Sequence, residues 1–124
     1  PENGYQGLYI KDIAKEGPCV IVGRCADYAL ADFPNVVNVY LYADLQSRIA
    51  RIARRHDVTD AKAKDLIQKT DKSRASYYNY YTNKKWGEAT GYDLCLNTAS
   101  LGIDGTIHMI REFAAYKERE HERI

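Results

Sequence analysis

Pro18 to Asp27 reads Pro-Cys-Val-Ile-Val-Gly-Arg-Cys-Ala-Asp, an apolar run that ends in a glycine, an arginine and an acid. A buried strand that stops at Gly23 would deliver a cation, Arg24, and a carboxylate, Asp27, to the surface. In an open parallel sheet, ligands bind outside the carboxyl ends of the strands, so both side chains are expected to face a crevice. The competing reading is a plain turn at Gly23 followed by a solvated helix start. Two further sets of charged residues could contribute to an anion site. Lys69, Asp71, Lys72 and Arg74 lie in a stretch without Gly or Pro, and Lys69 and Lys72, three apart on a helix, can face one ligand. Arg48 and Arg51 lie in the second set, with Arg54 and Arg55, which read as a surface basic face.

Composition narrows the classes of function. The 124 residues are expected to form one domain, 1–124, with one core, burying about two thirds of the unfolded surface. Eighteen basic against seventeen acidic side chains leave a formal charge of +1, which supplies no global attraction for nucleic acid or anionic membrane. Any anion site must therefore be local. Cys19, Cys25 and Cys95 cannot all pair and read as small apolar residues of a reducing compartment, so no disulfide is expected. His56, His108 and His121 are far apart and lack ligand spacing, so no metal site is expected from them. No segment has the apolar length of a membrane span, and no signal peptide is evident. A cytoplasmic location is expected.

The elements that must hold these residues alternate between helix and strand. Leu8, Ile10, Ile13 and Ala14 give a short helical stripe ended by Gly17 and Pro18. A first strand is expected over Cys19 to Val22, apolar throughout as in a parallel strand covered on both faces. After the turn at Phe33-Pro34-Asn35, a second strand is expected from Val36 to Tyr42. Asp44 can cap a helix with Leu45, Ile49, Ile52 and Ala53 on its core side. The stretch from Thr59 to about Tyr81 reads as one long helix or two abutting ones. Asn83 to Gly87 reads as a loop and Tyr92 to Asn97 as a third strand. Ser100 is expected to cap a last helix with core stripe Ile103, Ile107, Ile110 and Ala114 and a fraying tail from Lys117.

The residues GRCADYALADFPNVVNVYLYADLQSRIARI, KTDKSRASYYNYYTNKKWG and YDLCLNTASLGIDGTI, in that order and spacing, resemble the cytidylate kinase-like proteins. The resemblance implies an α/β fold: a three-layer P-loop kinase-like parallel sheet flanked by helices, here incomplete, with a lid segment over about 57–90. It also implies ATP-dependent phosphoryl transfer to CMP or a related pyrimidine nucleotide, with Mg²⁺ as cofactor. Such transfer needs several cations near one point and little covalent chemistry. By similarity Lys69, Lys72 and Arg74 take the place of the family's Arg-x-x-Arg-x-Arg and become the catalytic cations, with lysine keeping the charge but losing the bidentate fork. Gly23, Arg24, Asp27 and Asp71 become substrate-binding, and Arg48 and Arg51 ATP-binding. The family's acid directly follows its arginine, whereas Cys25 stands there in this chain, so Asp27 is the nearest acid. A helix first-turn acid is its plain structural alternative.

No Gly-x-x-x-x-Gly-Lys-(Ser/Thr) occurs in the sequence. By the resemblance, the family's amino-terminal strand, phosphate loop and acceptor-binding helices have no counterpart, which would leave a gap of about 9.6 Å between the strands expected at 19–22 and 36–42. A fragment of a larger enzyme, a short homologue, or a sheet completed by another chain would each account for this, and the chain alone is expected to be inactive. The rival from another class is a noncatalytic protein-binding or oligomerising module using exposed strand edges. Tyr77, Tyr78, Tyr80 and Tyr81 beside Lys84, Lys85 and Trp86 could offer bases a stacking platform. Adjacent tyrosines point to different sides of a helix, so core packing of Tyr77 and Tyr81 is the expected outcome and nucleic acid is not an expected partner.

Overall fold

The computed structural model describes residues 2–23 and 25–123. Helix α1 spans Glu2–Glu16, the four-residue helix α2 spans Ala26–Ala29, strand β1 spans Val39–Tyr42 and helix α3 spans Leu45–His56. Helix α4 spans Asp60–Thr82, strand β2 spans Leu94–Asn97 and helix α5 spans Thr98–Arg123. The architecture is mixed α/β: β1 and β2 form a two-stranded parallel sheet, Val39 opposite Leu94 and Tyr42 opposite Asn97, with helices around it. The two strands are joined by α3 and α4, the long crossover that a parallel pair requires.

Local chemistry explains the helix limits. Asp44 caps α3 through its carboxylate, which accepts from the Ser47 amide at 3.0 Å, and Asp57 ends the helix in a left-handed conformation. Thr59 caps α4 by accepting from the Lys62 amide, and Asn83 ends it in the same left-handed way. Between these caps α4 runs as one uninterrupted helix of 23 residues, about 34 Å long. The buried contact between α3 and α4 consists of Ile49, Ala63 and Ile67, with Ile52, Ala53 and Val58 packed against it. A second buried group, Ile10, Cys25 and Leu30, lies in α1 and the α2 region.

Several expectations are corrected. Cys19 to Val22 does not form a strand, and Val20 and Val22 are 93% and 89% exposed. No strand among the described residues lies beside this run to take its backbone hydrogen bonds, and an apolar sequence alone does not make a ladder. Cys19 is exposed instead of buried, while Cys25 is buried and Cys95 intermediate; all three are free thiols. β1 starts at Val39, not Val36, and β2 at Leu94, not Tyr92, because pairing extends over only four residues of each strand. Leu45, placed on the core stripe of α3, is exposed.

In α5 the cap is Asn97, whose side-chain oxygen accepts from the Ala99 and Ser100 amides, and not Ser100. Gly102 then leaves the helical conformation at φ 71, ψ 177, which re-phases the rest of α5. Ile103 is 64% exposed and Ile107 is also exposed, whereas Thr106 is buried and Ile110, Phe113, Ala114 and Lys117 are partly covered. Lys117 does not fray: its ammonium donates to the Val36 carbonyl and lies 3.8 Å from the Asp93 carboxylate, fastening α5 near the amino ends of the strands.

The accessible surface is 9512 Å². A compact domain of 14.2 kDa exposes about 6,800 Å², and the extended chain about 20,600 Å². Folding therefore buries little more than half of the surface instead of two thirds, and Val20, Val22, Ile103 and Ile107 are among the residues left uncovered. The α3–α4 contact must carry a large part of the stability of such an open structure. Ile67→Ala is expected to lower the unfolding free energy by about 2–4 kcal/mol, and Ile103→Ala by less than about 0.5 kcal/mol, in chemical denaturation.

Candidate functional site

The first turn of α3 follows the carboxyl end of β1, and it brings Arg48 to α4. The guanidinium donates to both oxygens of Asp71, at 2.7 and 2.8 Å, a bidentate pair that is about two thirds shielded from water. The hydrogen bonds that it donates to Asp71 are the main cause of an Arg48 pKa raised above the ordinary value, against an opposing effect of burial. Tyr40 of β1 stands close enough to feel both charges, and burial is the first cause of its raised phenol pKa. Asp44, just before the helix, has its carboxyl held below the ordinary value by the hydrogen bonds from Ser47.

A second junction lies farther along α4. The Tyr78 hydroxyl donates to Oδ2 of Asp27 at 2.5 Å, joining α4 to α2. Tyr78 is only 8% exposed. Burial, and next the contact with Asp27, push its phenol far above the usual range, so it remains a hydrogen-bond donor at any physiological pH. The Tyr92 phenol neighbours that of Tyr78, and its oxygen accepts from the Gly87 amide at 3.2 Å. Tyr40 stacks at a tilt on Tyr92, with centroids 5.0 Å apart, and meets the edge of Trp86 at 5.6 Å. A Cβ on Gly87, whose φ is +85, would come within 3.0 Å of the Tyr40 hydroxyl, so the loop passes this ring only with glycine there. The loop is held on its other side by Asn79, which accepts from the Trp86 amide at 2.8 Å.

The residues singled out in the sequence fall into three groups. Arg48 and Asp71 are brought together, but as partners of each other. Asp27 is reached by Tyr78, and Gly23 lies in an exposed turn whose carbonyl accepts from the Ala26 amide. Arg24 lies outside the described residues. The remaining cations are exposed: Lys69 is ion-paired with Asp65 at 3.1 Å, and Lys72, Arg74 and Arg51 have no side-chain partner among the described residues. Because α4 continues straight through Arg74, that side chain points about 160° around the helix from Lys72, while Lys69 and Lys72 share a face. The unbroken helix thus does not bring the three cations to one point. No group of three or more His, Cys, Asp or Glu among the described residues could hold a metal ion. The described carboxylates therefore do not form a cage for Mg²⁺.

Comparison with known proteins places this geometry. The model of the cytidylate kinase-like family matches residues 5–100, more than three quarters of the chain. The chain belongs to the cytidylate kinase-like family. The chain is 28% identical over 104 residues to a cytidylate kinase of Halobacterium salinarum, an alignment that covers 83% of this chain and 54% of that protein. A crystal structure of an uncharacterized protein from Eubacterium ventriosum superposes with a TM-score of 0.88 at 30% identity, covering 92% of this chain and 65% of that one. This family member thus spans about half the length of the curated relative it matches, and its architecture is that of a partial P-loop kinase-like domain.

Sequence reasoning missed Tyr78, Tyr92 and Tyr40. The signal for Tyr78 was available: Ala63, Ile67, Asp71, Ala75, Tyr78 and Thr82 repeat at three or four residues, and every one is at least partly buried. Following that stripe selects Tyr78 over Tyr77 and Tyr81. Those two pack on each other at 4.8 Å, with Tyr77 exposed rather than in the core.

Asp71→Asn is expected to cost about 1 kcal/mol in chemical denaturation, and the difference from wild type should narrow in molar salt, as befits a partly exposed pair. Tyr78 makes a pH prediction. Its folded-state pKa is raised, so its contribution is complete below the ordinary phenol value of 10.0 and is lost as pH rises beyond it. Melting curves taken upward from about pH 9 should show wild type losing stability above about pH 10 and Tyr78→Phe losing less.

Proposed function

We propose that the complete protein is a nucleoside monophosphate kinase that transfers the γ-phosphoryl group of ATP to CMP or a related pyrimidine nucleotide in the cytoplasm. The observation that carries this reading is the family match over residues 5–100. The geometry supports it: a long helix, rooted at Arg48–Asp71 and Tyr78–Asp27, presents lysine and arginine side chains to solvent. Phosphoryl transfer asks a protein chiefly for positioning and for positive charge around the transferred group. Lys69 and Lys72 act together on one phosphate group from one face of α4, and Arg74 acts separately from the other. Gly23, Arg24 and Asp27 bind the acceptor, and Arg51 contacts the donor. Arg48 and Asp71 hold the lid to α3, so their effect on nucleotides is exerted through the position of α4. Mg²⁺ would accompany the phosphates of ATP and would supply charge neutralisation there, beside the cations of α4.

The residues described do not include a phosphate loop, and this chain by itself is expected to be inactive. The full-length protein, supplied with ATP, magnesium and each common nucleoside monophosphate, is expected to produce ADP fastest with CMP. Lys72→Ala or Arg74→Ala should lower that rate about 10²-fold. Absence of nucleotide-dependent ADP production with every acceptor would end the kinase reading. The large uncovered surface, with Val20, Val22 and Ile103 exposed, favours a second reading, a noncatalytic assembly module on the same scaffold. Light scattering that gives a stable dimer indifferent to nucleotide would support that reading instead.

A further inference from the structure

Asp27 belongs to a short segment between the buried Cys25 and Leu30. It follows the turn at Gly23 and Cys25, both with positive φ, and sits in a helix of only four residues. Backbone hydrogen bonds, among them that from the Leu30 amide to the Ala26 carbonyl at 2.9 Å, fix the path of this segment, but it is the Tyr78 hydroxyl that contacts the Asp27 carboxylate itself. Tyr78 is buried, its main-chain carbonyl accepts from the Thr82 hydroxyl at 2.7 Å, and that hydroxyl oxygen in turn accepts from the Lys84 amide at 3.1 Å. The phenol is therefore delivered from a fixed stretch of α4.

From this geometry we infer that Tyr78 is a positioning residue: its hydroxyl occupies Oδ2 of Asp27 and holds the carboxylate so that Oδ1 accepts a donor group of the bound nucleotide. Among the described residues nothing else hydrogen-bonds to Asp27, and an ionised carboxylate only accepts, so its free oxygen suits an O–H or N–H group. The raised phenol pKa is consistent with this, because a protonated Tyr78 donates at every pH at which the protein would work. The same bond joins α2 to α4. This inference rests on the kinase reading above and deepens it at one subsite.

The test is a double-mutant cycle in the full-length protein, read as CMP affinity by calorimetry and as KM and kcat. Tyr78→Phe and Asp27→Asn are each expected to weaken CMP binding about 10-fold, with KM rising more than kcat falls. The double variant should be about as weak as Asp27→Asn alone, because Tyr78 acts through Asp27. CMP affinity unaltered in Tyr78→Phe, or losses that multiply to about 100-fold in the double variant, would overturn the inference while leaving the kinase reading intact. Wild-type protein that binds no nucleotide would overturn both. Should Tyr78→Phe fail to give the circular dichroism of a folded chain, Asp27→Asn alone decides, since unchanged CMP affinity in that variant removes the carboxylate from the ligand.

Discussion

The contact between α3 and α4 is the constraint on which the remainder of this structure depends. Ala63 is 0% exposed, and around it Ile49 and Ile67 close an apolar seam that has no counterpart of similar size elsewhere in the described residues. Helix α4 is otherwise densely charged, and a helix of that composition has little reason to remain ordered in water without a partner. The Arg48–Asp71 pair completes the seam at its upper end. It is a bidentate, partly shielded contact, so it contributes more to the angle between the two helices than to the total stability.

Beyond that seam the fold is held by polar and aromatic groups. Tyr40, Trp86 and Tyr92 pack edge and face against each other, Gly87 lets the loop approach them, and Tyr78 carries the contact across to Asp27. Aromatic rings suit this place because each buries a large apolar area and still offers one polar atom to a defined partner. The result is that α2, α4 and the approach to β2 meet through phenol hydroxyls. Opposite them, Lys117 ties α5 to Val36 and Asp93 near the amino ends of the strands.

Membership of the cytidylate kinase-like family is in keeping with the parallel order of β1 and β2 and with the long charged helix between them. It also puts the exposed apolar residues in context. Val20, Val22, Ile103 and Ile107 lie on surfaces that a longer domain has the means to cover, and the alignment covers only 54% of the relative from Halobacterium salinarum. Exposure of this extent is uncommon in a chain of 14.2 kDa.

The sequence by itself determined the elements that local chemistry decides: the caps at Asp44 and Thr59, the long helix free of Gly and Pro, the loop after Asn83, and the family, through motifs in a set order. These signals depend on neighbours within about four residues, and the chain carries them whatever surrounds it. Tertiary structure decided what depends on partners distant in sequence. Val20 and Val22 look like a buried strand, yet they lie in the open because a strand exists only where another offers its amides and carbonyls. Arg48 and Asp71 looked like two separate ligand contacts and proved to be partners, since opposite charges 23 positions apart meet only once α3 and α4 have packed. Asp27 was legible only as an acid shortly after the glycine turn. That a phenol from residue 78 would take one of its oxygens was not, because the distance between two side chains is a property of the packed helices and not of their composition.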